Sequence, residues 1–132
     1  MRIVLDTNVF ISSIVFKGIC REVFNEVIEN DQCFISPFIL NELKNKLQSK
    51  FLITTSGVLD LENDILRVFI LQNPHTDFPS ICRDNYDNNI LQIAESVNAD
   101  YIITGDKDLL ILQKYKQSKI ISPSEYLQIL LK

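Results

Sequence analysis

Histidine is almost missing from this chain, glycine and proline are scarce, and basic residues do not outnumber acidic ones: 1 His, 3 Gly, 4 Pro, and 13 Lys plus Arg against 17 Asp plus Glu. Each shortage excludes something. The formal charge of −4 and the acidic pI of about 4.9 exclude a basic coat for nucleic acid and a polybasic membrane anchor. The single His75 has neither a second histidine nor a nearby cysteine beside it, so zinc is a poor fit. Cys20, Cys33 and Cys82 are odd in number and widely spaced. They match neither a zinc ribbon nor a disulfide framework and read as buried thiols in a reducing cytoplasm. Few glycines and prolines, with abundant leucine and isoleucine, exclude a disordered chain. No apolar run approaches the ~20 residues of a membrane span. Met1-Arg2 leads quickly to Asp6 and not into a long signal-peptide core.

What is present is ordinary globular material, 46% hydrophobic and 23% charged over 132 residues, which points to one domain spanning residues 1–132. A chain of this length buries roughly 65–70% of its unfolded surface and needs no disulfide or metal simply to fold. Short apolar runs at Arg2–Leu5, Gln32–Ile35, Tyr101–Thr104 and Lys119–Ile121 read as buried strands. Helical spacing runs through Cys20–Ile28, through a helix opened by Ser36-Pro37 with Ile39, Leu40, Leu43 and Leu47 inward, and through Val58–Leu71 and Asn88–Val97. Leu109–Leu112 continues into a short helix, and Ser122-x-x-Glu125 fits a capping box at the start of a C-terminal one. Pro74 and Pro79 bracket an irregular or extended stretch. Strands alternating with helices predict an α/β domain of three layers, α/β/α, around a parallel sheet. The functional crevice of such a sheet lies beyond the carboxyl ends of its strands.

Acids fall at those ends. Asp6 closes the first strand, and Gly105-Asp106 with Asp108 follows the strand at Tyr101–Thr104. Glu42 lies one and a half turns into the helix after the second strand, so it can point back over the same rim. Arg83 to Asn89 brings Asp84 and Asp87 to the start of another helix. Any one of these acids could simply cap a helix or sit in a turn. Crowded together they repel one another and raise one another's pKa unless a cation neutralises them. Oxygen-only ligands suit Mg²⁺ or Mn²⁺. Such an ion can activate water and stabilise the charge of a phosphodiester transition state. Thr7, Asn8, Asn88 and Thr104 could orient the acids or hold water on the ion.

Four segments in order resemble the PIN-domain nucleases. They are Ile3-Val4-Leu5-Asp6-Thr7-Asn8-Val9, Asn41-Glu42-Leu43, Cys82-Arg83-Asp84-Asn85-Tyr86-Asp87-Asn88, and Ala99-Asp100-Tyr101-Ile102-Ile103-Thr104-Gly105-Asp106-Lys107-Asp108-Leu109-Leu110. The likeness is closest to the toxin branch of bacterial and archaeal toxin–antitoxin pairs. It implies a central parallel sheet of about five strands and cleavage of single-stranded RNA with one or two Mg²⁺ or Mn²⁺ ions. It implies Asp6, Glu42, Asp87 and Asp106 as the catalytic, metal-holding acids, with Asp84 and Asp108 as auxiliaries. The choice between Asp84 and Asp87 stays open, although a helix start at Asp87 favours the latter. Relatives often read Asp-Pro-Asp-Asp-Asn where this chain reads Asp84-Asn85-Tyr86-Asp87-Asn88, so Tyr86 or Asn85 stands in for an acid. That departure could change metal affinity but leaves the four-acid core intact.

The resemblance also implies a cognate antitoxin as partner. Val9–Phe16 and Val58–Leu71 carry more apolar residues than one core face needs, and a homodimer could use that surface. Arg83 and Lys107, beside two acidic motifs, are the candidate RNA contacts. Lys44, Lys46 and Lys50 are either further ones or a solvated helix face. The rival readings are a non-catalytic binding module of the same fold and a phosphate-transfer fold. A dehalogenase-like phosphatase wants Asp-x-Asp at the first strand, where position 8 is Asn, and a receiver wants a lysine after its last strand.

Overall fold

The sheet is built from runs of two to four residues. In the computed structural model, which describes residues 1–131, β1 (Arg2–Leu5), β2 (Gln32–Ile35) and β4 (Tyr101–Ile103) are its centre, with β3 (Ile70–Leu71), β5 (Lys114–Tyr115) and β6 (Ser118–Ile121) outside them. The spatial order is β3-β2-β1-β4-β6-β5. Five strands are parallel, and β5 pairs antiparallel with β6, placing Lys114 opposite Lys119. The order reverses at β1, so the crevice belongs between the carboxyl ends of β1 and β4. Ile3, Val4, Leu5, Ile102 and Ile103 are fully buried. That fits a sheet covered on both faces, where strands read as continuous apolar runs.

The helices are α1 (Thr7–Val15), α2 (Ile19–Asn30), α3 (Pro37–Phe51), α4 (Thr55–Val68), α5 (Asn85–Ser96), α6 (Lys107–Leu110) and α7 (Pro123–Leu130). Their starts follow local chemistry. Ser36 caps α3 by accepting from the Ile39 N–H at 3.1 Å, with proline next in line. Ser122 and Glu125 form the expected capping box at α7. The inward face of α3 is Ile39, Leu40, Leu43 and Leu47, all buried.

Three elements differ from expectation, each for a stated reason. α4 begins at Thr55, not Val58, because Thr54 caps it through the Gly57 N–H. It also stops at Val68. Phe69 turns extended (φ −105°, ψ 145°) and drops its ring between Phe10 and Phe24, with centroids 4.9 and 5.6 Å away. Ile70–Leu71, expected as the helix end, then pairs with β2 as β3. The apolar stretch from Val9 onward is helix α1, with Val9, Phe10 and Ile11 buried and Phe16 left outside. Finally, α5 starts at Asn85, three residues earlier than the apolar spacing suggested, because Asp84 caps it. Of the three thiols only Cys33 is buried; Cys20 and Cys82 are half-buried, and none is paired.

Candidate metal centre at the carboxyl rim of the sheet

Three of the acids begin as helix caps. Asp6, Asp84 and Asp106 each have extended backbone and accept from the N–H two residues on, opening α1, α5 and α6. The cap role and a metal role are compatible, because a carboxylate has about four lone-pair sites.

Asp87 occupies the first turn of α5 and is 1% exposed. Its Oδ1 has no hydrogen-bond partner. One oxygen of Asp87, one of Asp106 and one of Asp108 lie within 4.8 Å of one another. Burial, and the charges of Asp106, Asp6 and Asp84, push the Asp87 carboxyl up to about 7. The nearby Cys82 thiol is also pushed up, by burial and by the acids at 87, 106, 108 and 84. A buried acceptor without a donor, facing two other carboxylates, is what a divalent cation would satisfy. The all-oxygen set fits Mg²⁺ or Mn²⁺ better than zinc.

Asp6 lies outside that trio, buried at the end of β1, and is held by protein donors. The Thr104 hydroxyl donates to Oδ2 at 2.6 Å, and the Tyr86 hydroxyl donates to Oδ1 at 2.5 Å. The Asn8 N–H reaches Oδ1 at 3.3 Å. Thr104 in turn accepts from the Asp106 N–H at 2.9 Å, so one hydroxyl ties the first and last acidic motifs together. Thr104 thus hydrogen-bonds Asp6 directly.

Glu42 is half-buried on α3 and outside the trio. One turn on, the Lys46 ammonium lies 3.3 Å from the Asn8 Oδ1 and 5.3 Å from the centre of the Tyr86 ring. This places the Glu42-bearing helix against the same rim.

The remaining candidate residues take different places around the rim. The Asn88 side chain makes its hydrogen bonds to the loop before α5 and to Asn85, none of them to an acid. It accepts from the N–H groups of Ile81 and Cys82 and donates to the Cys82 carbonyl, pinning the loop before α5. Asp84 is exposed and caps α5, so the helix does not start at Asp87 as the expectation had it. Arg83 folds back onto Asp108, with one nitrogen 3.1 and 2.9 Å from its two oxygens. Lys44 pairs with Glu62 at 3.1 Å. Thr7 is buried, its N–H donating to the Tyr86 hydroxyl while its own hydroxyl lacks a partner. Lys107 is exposed. The residues sequence reasoning missed are Tyr86 as a partner of Asp6, and Lys46 as its neighbour. The only signal for Tyr86 was an aromatic residue standing where the resemblance led one to expect an acid.

A parallel α/β sheet with buried and half-buried carboxylates collected at one carboxyl rim defines a protein of the PIN-fold class. The chain belongs to the PIN domain family, whose profile matches residues 2–108. It is 34% identical over 145 residues to an uncharacterised protein of Methanocaldococcus jannaschii, MJ1680, covering 97% of this chain and 90% of that one. Two solved structures share the fold at 16% identity. VapBC2 from Rickettsia felis, determined bound to a DNA fragment from the promoter, superposes with a TM-score of 0.66 over 92% of this chain and 98% of that one. PAE2754 from Pyrobaculum aerophilum gives 0.61 over 98% and 88%.

Proposed function

We propose that this protein is a metal-dependent endoribonuclease cutting single-stranded RNA, and the toxin of a toxin–antitoxin pair. The observation that carries this reading is Asp87, a carboxylate 1% exposed with an unpartnered oxygen, packed against Asp106 and Asp108. A structural carboxylate in that place would have a donor.

Asp87, Asp106 and Asp108, joined by Asp6 and Glu42, would hold Mg²⁺ or Mn²⁺. Such an ion supplies a more acidic water and a positive charge for the phosphate oxygens. The chain's own residues set the geometry. Thr104 fixes Asp6 relative to Asp106, and Asn8 is held by Lys46. Lys46, beside Asn8, and Lys107, exposed next to Asp106, are the phosphate contacts on this reading, with Arg83 available once it leaves Asp108. Water, and neither a side chain nor the RNA 2′-hydroxyl, would be the nucleophile; its attack on phosphorus with departure of the 3′-oxygen leaves a 5′-phosphate and a 3′-hydroxyl.

The test is cleavage of labelled single-stranded RNA with Mn²⁺, Mg²⁺ or EDTA, by wild type and by an Asp6→Asn, Asp106→Asn double variant. Cleavage that needs metal and is lost in the variant supports the reading. Cleavage that survives both treatments, or 2′,3′-cyclic phosphate ends, overturns it. If no RNA is cut and calorimetry detects no Mn²⁺, the non-catalytic module becomes the better account.

The antitoxin belongs to the same reading, by analogy with the Rickettsia felis complex. A groove of about 420 Å³ between α2 and α4, lined by Ile14, Phe24, Ile28, Leu61, Ile65 and Val68, offers an apolar bed for a partner helix. A second copy of the chain is the competing occupant, and sedimentation with and without the antitoxin separates the two. Among the described residues no helix is long and apolar enough to cross a membrane.

A further inference from the structure

We infer that Tyr86 is a tethered competitor for Asp6, and that a cation engages this carboxylate through Oδ1 only after the phenol withdraws. The inference rests on the reading of the rim as a divalent-cation site. Asp6 Oδ1 already accepts two donors, the Tyr86 hydroxyl at 2.5 Å and the Asn8 N–H at 3.3 Å. An ionised carboxylate oxygen offers about two lone-pair sites, so Oδ1 is full. Oδ2 is taken on one side by Thr104 at 2.6 Å. Asp6 also lies outside the close trio of oxygens from Asp87, Asp106 and Asp108.

Of the three donors only Tyr86 has room to leave. Thr104 is 0% exposed, continues β4, and is held in turn by the Asp106 N–H. The Asn8 N–H is part of the α1 backbone. Tyr86 is half-buried in the first turn of α5. Its ring is flanked by Phe38, with centroids 6.0 Å apart, and by the Lys46 ammonium at 5.3 Å. A change of side-chain torsion would carry the hydroxyl toward the rim without moving the helix. The Thr7 N–H, which the same hydroxyl accepts at 2.9 Å, would then turn to water or to the ligand. Tyr86 is a positioning residue on this account. It holds the first acid in place and gives it up in exchange for the ion.

The chain has four tyrosines and no tryptophan, so the long-wavelength side of the near-ultraviolet spectrum, beyond phenylalanine absorption, is tyrosine alone and reports a phenol that loses a carboxylate acceptor. Mg²⁺ and Mn²⁺ are titrated by calorimetry into wild type and Tyr86→Phe, and Mg²⁺ into both while the tyrosine difference spectrum is recorded. Tyr86→Phe should bind either ion about tenfold or more tightly, because a hydrogen bond to a charged group no longer has to be broken. Wild type should show a Mg²⁺-dependent tyrosine shift that the variant lacks. A thermal melt checks that the variant folds, and the wild-type spectrum needs no variant at all. Equal or weaker binding by Tyr86→Phe overturns the inference and leaves the metal reading standing. A wild-type spectrum unmoved while heat is released does the same. No heat from either protein overturns the metal reading, and the inference falls with it.

Discussion

Asp87→Asn should stabilise the protein at neutral and alkaline pH in EDTA, although it alters a buried polar residue. The unfolded carboxyl titrates near 3.8, and the folded one near 7. The folded state therefore binds more protons between these values, and stability falls as pH rises from about 4 to about 7. Below 4 the contribution is fully present; above 7 it is fully lost. Three pH units correspond to about 4 kcal/mol. Asp106 is half-exposed and Asp84 exposed, so water close by screens much of the repulsion, and about 1–2 kcal/mol is the reasonable figure. In a domain of this size that is roughly 3–8 °C in melting temperature. Asparagine is nearly the same shape, cannot ionise, and brings an amide donor to Asp106. The assay is thermal melting of wild type and variant in EDTA at pH 4, 6 and 8, then at pH 8 with Mn²⁺. The two should melt together at pH 4 and separate progressively to pH 8 with the variant higher. Mn²⁺ should raise the wild type and do little for the variant. A variant that melts below wild type at pH 8 in EDTA would refute the argument, because Asp87 would then be a satisfied structural acid.

Two further outcomes follow from the same geometry. Thr104→Val removes the donor to Asp6 and the acceptor for the Asp106 N–H, and should cost about 2–3 kcal/mol in urea unfolding, most of it restored by Thr104→Ser; if valine is neutral, the bridge between the two motifs has no weight. Arg83→Ala, measured in an Asp106→Asn background, should leave the melting temperature unchanged because exposed ion pairs contribute little. It should also flatten the salt dependence of single-stranded RNA binding by roughly 0.7 in log–log slope, and an unchanged slope removes Arg83 from the RNA path.

The legible parts of this molecule were those that local chemistry dictates. β1, β2 and β6 are apolar runs with polar ends, and α3 and α7 announce themselves by serine followed by proline, with glutamate at the capping-box offset in α7. The acids could be placed at one rim because in a parallel sheet every residue after a strand goes to the same side. Phe69 to Leu71 was not legible. Its apolar spacing suits a helix and a strand equally, and only the pocket beside Phe10 and the open edge of β2 decide between them. The start of α5 was misjudged because Asp84 and Asn85 carry no apolar signal. Asn88 looked like a site residue because it follows an acid, yet the loop in front of it claims its side chain. Tyr86 meets Asp6 across 80 positions of chain, a pairing set by how α5 lies on the sheet and not by any spacing.

The sheet ends on both sides in strands of two residues, Ile70–Leu71 and Lys114–Tyr115. A strand from another molecule would find too short a ladder to align on, and at the second edge lysines 114, 116 and 119 crowd the hairpin, with Lys116 in left-handed backbone at φ 54°. Edge-to-edge growth of the kind that builds fibrils is therefore discouraged at both ends. Lengthening Ile70–Leu71 with β-branched residues, or replacing the three lysines with threonine, would remove that protection, and turbidity on concentration would register the change before any loss of the folded state.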